Sequence, residues 1–239
     1  MERFSKILII PDVHGRTFWK GNVSDQFDHI VFLGDYLDPY PSERISQRKA
    51  YDNFQEIIIY KKEYPERVTL LLGNHDMHYA SDVFCENACG SRYDTMMAQT
   101  YKQTFQNHAH LFQIAYEAEV DKNRYLFTHA GVNRSWYQRH EEMIGSLNAE
   151  NLNRLALTDE GVIALGEVGY TRGGLETTGG PMWADVSEMY FAPHFSDYYQ
   201  VLGHSQQPEH PVIEESFACL DCRRGFVIEG SKLYPQPLL

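Results

Sequence analysis

Residues 6–15, KILIIPDVHG, set the plan of this chain: an apolar run with the look of a strand, KILII, runs straight into Asp12, His14 and Gly15. The same plan recurs four times. HIVFL precedes GDYLD at 34–38, RVTLLL precedes GNHD at 73–76, RYLFT runs into THAG at 128–131, and YQVL precedes GHS at 203–205. A strand fixes its last residue rigidly, and a glycine beside each polar group lets the backbone turn sharply enough to aim that group inward. Side chains from distant segments are therefore expected to converge at the strand ends.

Asp12, His14, Asp35, Asn74, His129 and His204 offer only oxygen and imidazole nitrogen, a set that suits first-row divalent metals and needs no thiolate. Two such ions about 3.5–4 Å apart need a bridging carboxylate, and together they can clamp the attacking and leaving oxygens of an in-line phosphoryl displacement. Asp35 is the best candidate bridge. His beside Gly in one isolated block would most simply be a turn residue, but five blocks together point to a metal site.

These blocks resemble those of the calcineurin-like metallophosphoesterases, and within them the phosphoprotein phosphatase branch, with its DxH, GDxxD, GNHE or GNHD, His-Gly and GH. The resemblance implies an α/β (α+β) fold, a four-layer sandwich of two mixed β-sheets flanked by helices. It assigns Asp12, His14 and Asp35 to a first metal and Asp35, Asn74, His129 and His204 to a second. It makes His75 a general acid, oriented by Asp38, rather than a ligand. The implied reaction is direct attack by a metal-bridging hydroxide, with His75 protonating the leaving alkoxide. The segment GPMWADV at 180–186 is similar to a further family segment.

Two departures bear on substrate. The GH block continues as Ser205 and Gln206, unlike the GHxH of many sister phosphoesterases, which favours the phosphatase branch. Pro39 and Tyr40 stand where that branch continues with Arg-Gly, so a phosphate-gripping arginine must come from elsewhere. Arg172, followed by two glycines, is the first candidate, with Arg16 and Arg134 behind it. HAGVNRSW is also similar to a segment of symmetrical dinucleoside tetraphosphatases. The leading expectation is thus a phosphomonoesterase acting on phosphoserine, phosphothreonine or a small phosphoester. Hydrolysis of dinucleoside polyphosphates or nucleotide diesters is the alternative, and a non-catalytic binding scaffold is the reading from another class. Mn²⁺, Fe, Zn²⁺ and Co²⁺ all accept such ligands.

The length of 239 residues suffices for a substantial core, and 43% hydrophobic with 23% charged residues is ordinary for a globular chain. Ligands spread from Asp12 to His204 must meet, so one domain over 1–239 is expected, with a specificity insert at about 133–198. A net charge of −12 argues against nonspecific nucleic-acid binding, though a pair of divalent ions can still make the mouth of the site positive. With Asp12 following the first strand so closely, and with no apolar run of membrane-spanning length, neither a signal peptide nor a membrane anchor is expected and cytoplasm is the default. Cys85 with Cys89 and Cys219 with Cys222 have spacings a zinc site could use, but reduced thiols are the simpler reading.

The apolar spacing over 45–64 predicts a helix ended by Pro65. A second helix is expected over 91–108, a hairpin around Asp121–Asn123, and closing antiparallel strands from Tyr199 onward. His78 is expected at the solvent edge or capping a helix. His108, His110, His140, His194 and His210 are expected as ordinary surface or core residues.

Overall fold

The computed structural model describes residues 1–191 and 197–236, so His194 lies outside the described residues. Two six-stranded sheets face each other. In the first sheet, β2 (Lys6–Ile10), β3 (His29–Phe32), β4 (Val68–Leu71) and β5 (Phe112–Gln113) run parallel, and β11 (Phe226–Glu229) with β12 (Lys232–Pro235) closes the other edge antiparallel. The second sheet has the order β1 (Glu2–Phe4), β6 (Ala115–Val120), β7 (Asn123–Thr128), β8 (Tyr199–Leu202), β10 (Phe217–Cys219) and β9 (Val212–Ile213).

The continuous apolar runs follow from burial on both faces of each sheet. In β2, Ile7 and Ile9 point between the sheets with Val31, Phe127, Val201 and Ala218. Leu8 and Ile10 point outward, with Phe32 and Leu70, under Phe54, Ile57 and Ile58 of α1 (Gln47–Glu63). Ser46 caps that helix, accepting from the Lys49 amide. The outer face of the second sheet is covered by α5 (Arg134–Ile144), α6 (Ala149–Leu155) and α7 (Asp159–Leu165), through Trp136, Leu152, Leu155 and Leu165. The result is the expected helix–sheet–sheet–helix sandwich. Among the described residues no helix is long and apolar enough to cross a membrane.

Among the described residues α2 (Asn74–Ala80), α3 (Asp82–Ala88) and α8 (Glu188–Phe191) are further short helices. The expected hairpin is present, with Asp121 and Lys122 both at positive φ, the conformation that joins twisted antiparallel strands most tightly. Two expectations need correction. The second helix, α4, spans only Ala98–His108, because the Asp94 carboxylate takes the amides of Met96 and Met97 and holds the preceding segment in a turn. The closing strands are not all antiparallel: β8 pairs parallel with both β7 and β10, because β9 returns along the sheet edge before β10 enters. Parallel pairing brings the C-terminal ends of β7, β8 and β10 to one edge.

Asp76 ties the β3 and β4 ends together. Its carboxylate accepts from the amides of Asp35 at 2.6 Å, Tyr36 at 3.0 Å and Gly73 at 2.9 Å, and it is fully buried. Each buried donor left unmet costs about 1–3 kcal/mol, so Asp76→Ala is expected to destabilise the chelator-treated protein by roughly 3 kcal/mol or more. Urea unfolding checks this, and an unchanged midpoint would remove Asp76 from that structural role.

Candidate metal centre

Every block lies just past a strand end. Asp12 and His14 follow β2, Asp35 follows β3, Asn74 and His75 follow β4, His129 follows β7 and His204 follows β8. His14, Asp35, Asp38 and His204 all take positive φ, from 44° to 63°. Such conformations cost about 1–3 kcal/mol each and persist where the surroundings over-determine them. Glycine is required at two neighbouring positions: a Cβ on Gly73 would sit 2.1 Å from Asp35 Oδ1, and one on Gly203 would sit 2.1 Å from Asp12 Oδ1.

Asp35 stands between two donor sets. Its Oδ2 lies 3.3 Å from His14 Nε2, and its Oδ1 lies 3.6 Å from His129 Nε2. Ligating atoms of Asp12, His14 and Asp35 lie within 4.8 Å of one another, and so do those of Asp35, His129 and His204. Asn74 Oδ1 joins the second set at 3.0 Å from both His129 Nε2 and His204 Nδ1, which are themselves 3.1 Å apart.

The orientation of the rings suits ligation. His14 Nδ1 lies 2.8 Å from the Leu37 carbonyl and His129 Nδ1 lies 2.8 Å from that of Leu33. Since a carbonyl only accepts, each Nδ1 carries the proton and leaves the inward Nε2 with its lone pair. Burial lowers the His14 pKa to about 3, and burial with the field of His129 holds that of His204 well below the ordinary value. Burial works to raise the Asp35 pKa, but the surrounding histidines outweigh it and hold the carboxyl below the usual range. Neutral imidazole and ionised carboxylate are the forms that bind a divalent ion. Buried acceptors this closely spaced repel unless a cation lies among them, so the residues present fit a pair of metal ions.

Asp38 is the hub beside this centre. Its Oδ2 accepts from His75 Nδ1 at 2.9 Å and from His78 Nε2 at 2.8 Å, while Oδ1 accepts from the Tyr79 hydroxyl at 2.7 Å. Burial pushes its pKa up, but the hydrogen bonds from His75 and His78 prevail and lower it. His78 is therefore not at the solvent edge. Helical spacing puts His75, His78 and Tyr79 on one face of α2, and the Gly90 amide donates to His78 Nδ1 at 3.2 Å, which completes its burial. Although Asp38, His75 and His78 also form a compact trio, three donors already occupy the carboxylate.

The arginines separate by environment. Arg16 is buried, donating through Nε to Glu43 and through Nη1 to the Asp12 carbonyl. Arg172 pairs with Asp185 at 2.8 Å and donates to Ser205 Oγ at 2.6 Å, next to His204. Arg134 is exposed at the first turn of α5. Sequence spacing gives no hint of Arg92, which reaches in from the turn between α3 and α4. Its Nε donates to the Asp38 carbonyl at 3.0 Å, and its Nη2 lies 3.1 Å from His75 Nε2 and 3.3 Å from His14 Nε2. The same Nη2 is 3.5 Å from His14 Nδ1, so it lies over the ring rather than in line with the ligating lone pair. Its guanidinium stacks 3.7 Å above Tyr40, the residue standing in the expected arginine's neighbourhood.

The calcineurin-like phosphoesterase family model matches residues 5–208, and the chain belongs to that family. Similar curated proteins include the serine/threonine-protein phosphatase 4 catalytic subunits of Candida glabrata, 29% identical over 85 residues, and Eremothecium gossypii, 28% identical over 85 residues. Each match spans 33% of this chain, and 25% and 24% of those relatives respectively. A solved Saccharomyces cerevisiae protein serine/threonine phosphatase with similarity to human phosphatase PP5 shares the fold, at a TM-score of 0.54 and 13% identity over 96% of this chain and 76% of that one. These likenesses lie on the phosphoprotein phosphatase branch.

Asp35→Asn is expected to abolish hydrolysis and to deplete at least one metal, because a bridging Asp35 would lose the charge that holds two cations together. Elemental analysis of the purified variant checks it; two full equivalents with native turnover would contradict the bridging role.

Proposed function

We propose that this chain is a two-metal phosphomonoesterase whose leading substrates are phosphorylated serine and threonine side chains. The observation that carries this reading is the placement of Asp35 between two donor sets, with the His75–Asp38 pair directly beside them. Bound there, two divalent ions would neutralise the phosphoryl oxygens and supply a nucleophile at neutral pH, with Mn²⁺ as the first ion to assay. The chain's own groups do the rest. Asp12, His14 and Asp35 hold one side, and Asp35, Asn74, His129 and His204 hold the other. His75, fixed through Nδ1 by Asp38, turns Nε2 toward the site and hands a proton to the departing oxygen.

Arg92 is the guanidinium best placed to grip the phosphate, with Arg172 the second. In the free protein its Nη2 donates to His75 Nε2. A phosphate dianion drawing Arg92 to itself frees that nitrogen to take up a proton from solvent, and the imidazolium, its charge balanced by Asp38, then has an Nε2–H to give the leaving oxygen. Dinucleoside polyphosphates are the weaker substrate reading, since Trp136 of the HAGVNRSW segment is buried with its indole bonded to the Ala164 carbonyl and offers no face to a base. The segment over 133–198 is proposed to set specificity within one domain over 1–239. Four free thiols suit a reducing compartment such as the cytoplasm.

Turnover of phosphopeptides, alkyl phosphates and dinucleoside polyphosphates, compared side by side with Mn²⁺, tests the reading; preference for the last class would reassign the substrate. His75→Ala is expected to keep both metals yet lower kcat by roughly 10²–10⁴, with a smaller loss on p-nitrophenyl phosphate, whose leaving group needs no proton. Equal losses on both substrates would assign His75 another task. Arg92→Ala is expected to raise KM and to cost about 2–4 kcal/mol in kcat/KM, with Arg92→Lys restoring only part. Unchanged constants there, beside a large loss in Arg172→Ala, would move the grip to Arg172.

A further inference from the structure

β2, β3, β4, β7 and β8 carry the blocks already described, and β10 ends alongside them. It runs parallel to β8 with Cys219 level with Leu202, and the Leu220 amide continues the pairing onto the Leu202 carbonyl. Carried two residues further, that register sets Asp221 level with His204. Asp221 is fully buried, and neither carboxylate oxygen has a hydrogen-bond partner among the described residues.

A buried carboxylate without a partner is costly and calls for a cation or an ordered donor. Its electrostatic surroundings identify the side of the site that it faces: the carboxylates of Asp12 and Asp35 and the guanidiniums of Arg16 and Arg223. Neither guanidinium bonds to it. Arg16 Nε is held by Glu43 and its Nη1 by the Asp12 carbonyl, its buried Nη2 bonds to nothing among the described residues, and Arg223 Nε lies 3.3 Å from Glu43. The donor sets are also unequal. Asp35, Asn74, His129 and His204 surround one position, but Asp12, His14 and the shared Asp35 surround the other, fewer than the four to six ligands that first-row ions ordinarily take.

We propose that Asp221 completes the Asp12–His14–Asp35 position, accepting from a water in that ion's coordination shell. The water link follows from Asp221 lying outside the tight donor set around Asp12, His14 and Asp35. Ionised beside a divalent ion, Asp221 would add a third negative charge on that side. The sequence gives this carboxylate no motif of its own: CLDC places it between Cys219 and Cys222, where attention falls on the thiols.

The inference rests on the two-metal reading, and Mn²⁺ titration calorimetry on the full chain separates the two. Wild type binding two ions supports the parent reading; wild type binding fewer than two overturns it whatever Asp221 does. With two sites in hand, Asp221→Asn is expected to weaken one of them by about 10–100-fold, the usual effect of losing an outer partner of a metal site, and to leave the other unchanged. Asp221→Glu, which keeps the charge, should bind more tightly than Asp221→Asn at that same site, and it serves as the readout if the asparagine variant does not fold. For Asp221→Glu alone, an altered affinity at one site supports the proposal. Two wild-type affinities, or equal weakening of both sites, overturns it and makes Asp221 a structural partner of the Arg16 region instead.

Discussion

The structure depends on one arrangement of charge: the Asp35 carboxylate, buried where the ends of two sheets meet, with imidazoles on both sides. In water-poor surroundings such a group is tolerated only if every neighbour is placed to compensate it. Asp76 fixes the backbone beneath it, the His75 amide donates to its Oδ1 at 2.9 Å, and Gly73 leaves it room. The positive φ at Asp35 and at three other site residues shows the same constraint acting on the backbone. The two hydrophobic layers are what make that geometry rigid, since each strand that leads into a site residue is packed on both faces.

Much of this is legible in the sequence because strand and candidate ligand are covalently adjacent. KILII before Asp12 and RVTLLL before Asn74 specify both a buried strand and what hangs from its end, so the fold and the candidate metal-binding side chains are read from the same letters. Contacts made between blocks are another matter. His78 reads as a stray histidine until α2 is seen to stack it with His75 and Tyr79 around Asp38. Asp76 reads as the last letter of GNHD, and only the folded backbone shows three amides pointing at it. The parallel course of β10 was hidden for a similar reason, since alternation of strand and turn does not report strand direction.

Arg92 brings a guanidinium beside His75 from elsewhere in the chain. The proline after Asp38 removes the expected guanidinium, and the tyrosine after it presents an aromatic face. That face supports an arginine from a turn more than fifty residues away, bonded to the Asp38 carbonyl itself. The charge therefore arrives next to His75 by a different covalent route. No periodicity or spacing could signal this, because the two partners lie on separate segments and neither belongs to a strand. Arg92 lies in the same irregular stretch between α3 and α4 in which the Asp94 turn delays the start of α4.

The central claim is that Asp35 bridges two ions. An anomalous-difference map from crystals grown with Mn²⁺ tests it most directly. The account predicts two peaks about 3.5–4 Å apart, one on the Asp12–His14 side of Asp35 and one on the Asn74–His129–His204 side. A single peak, or two peaks with Asp35 touching only one, would contradict it.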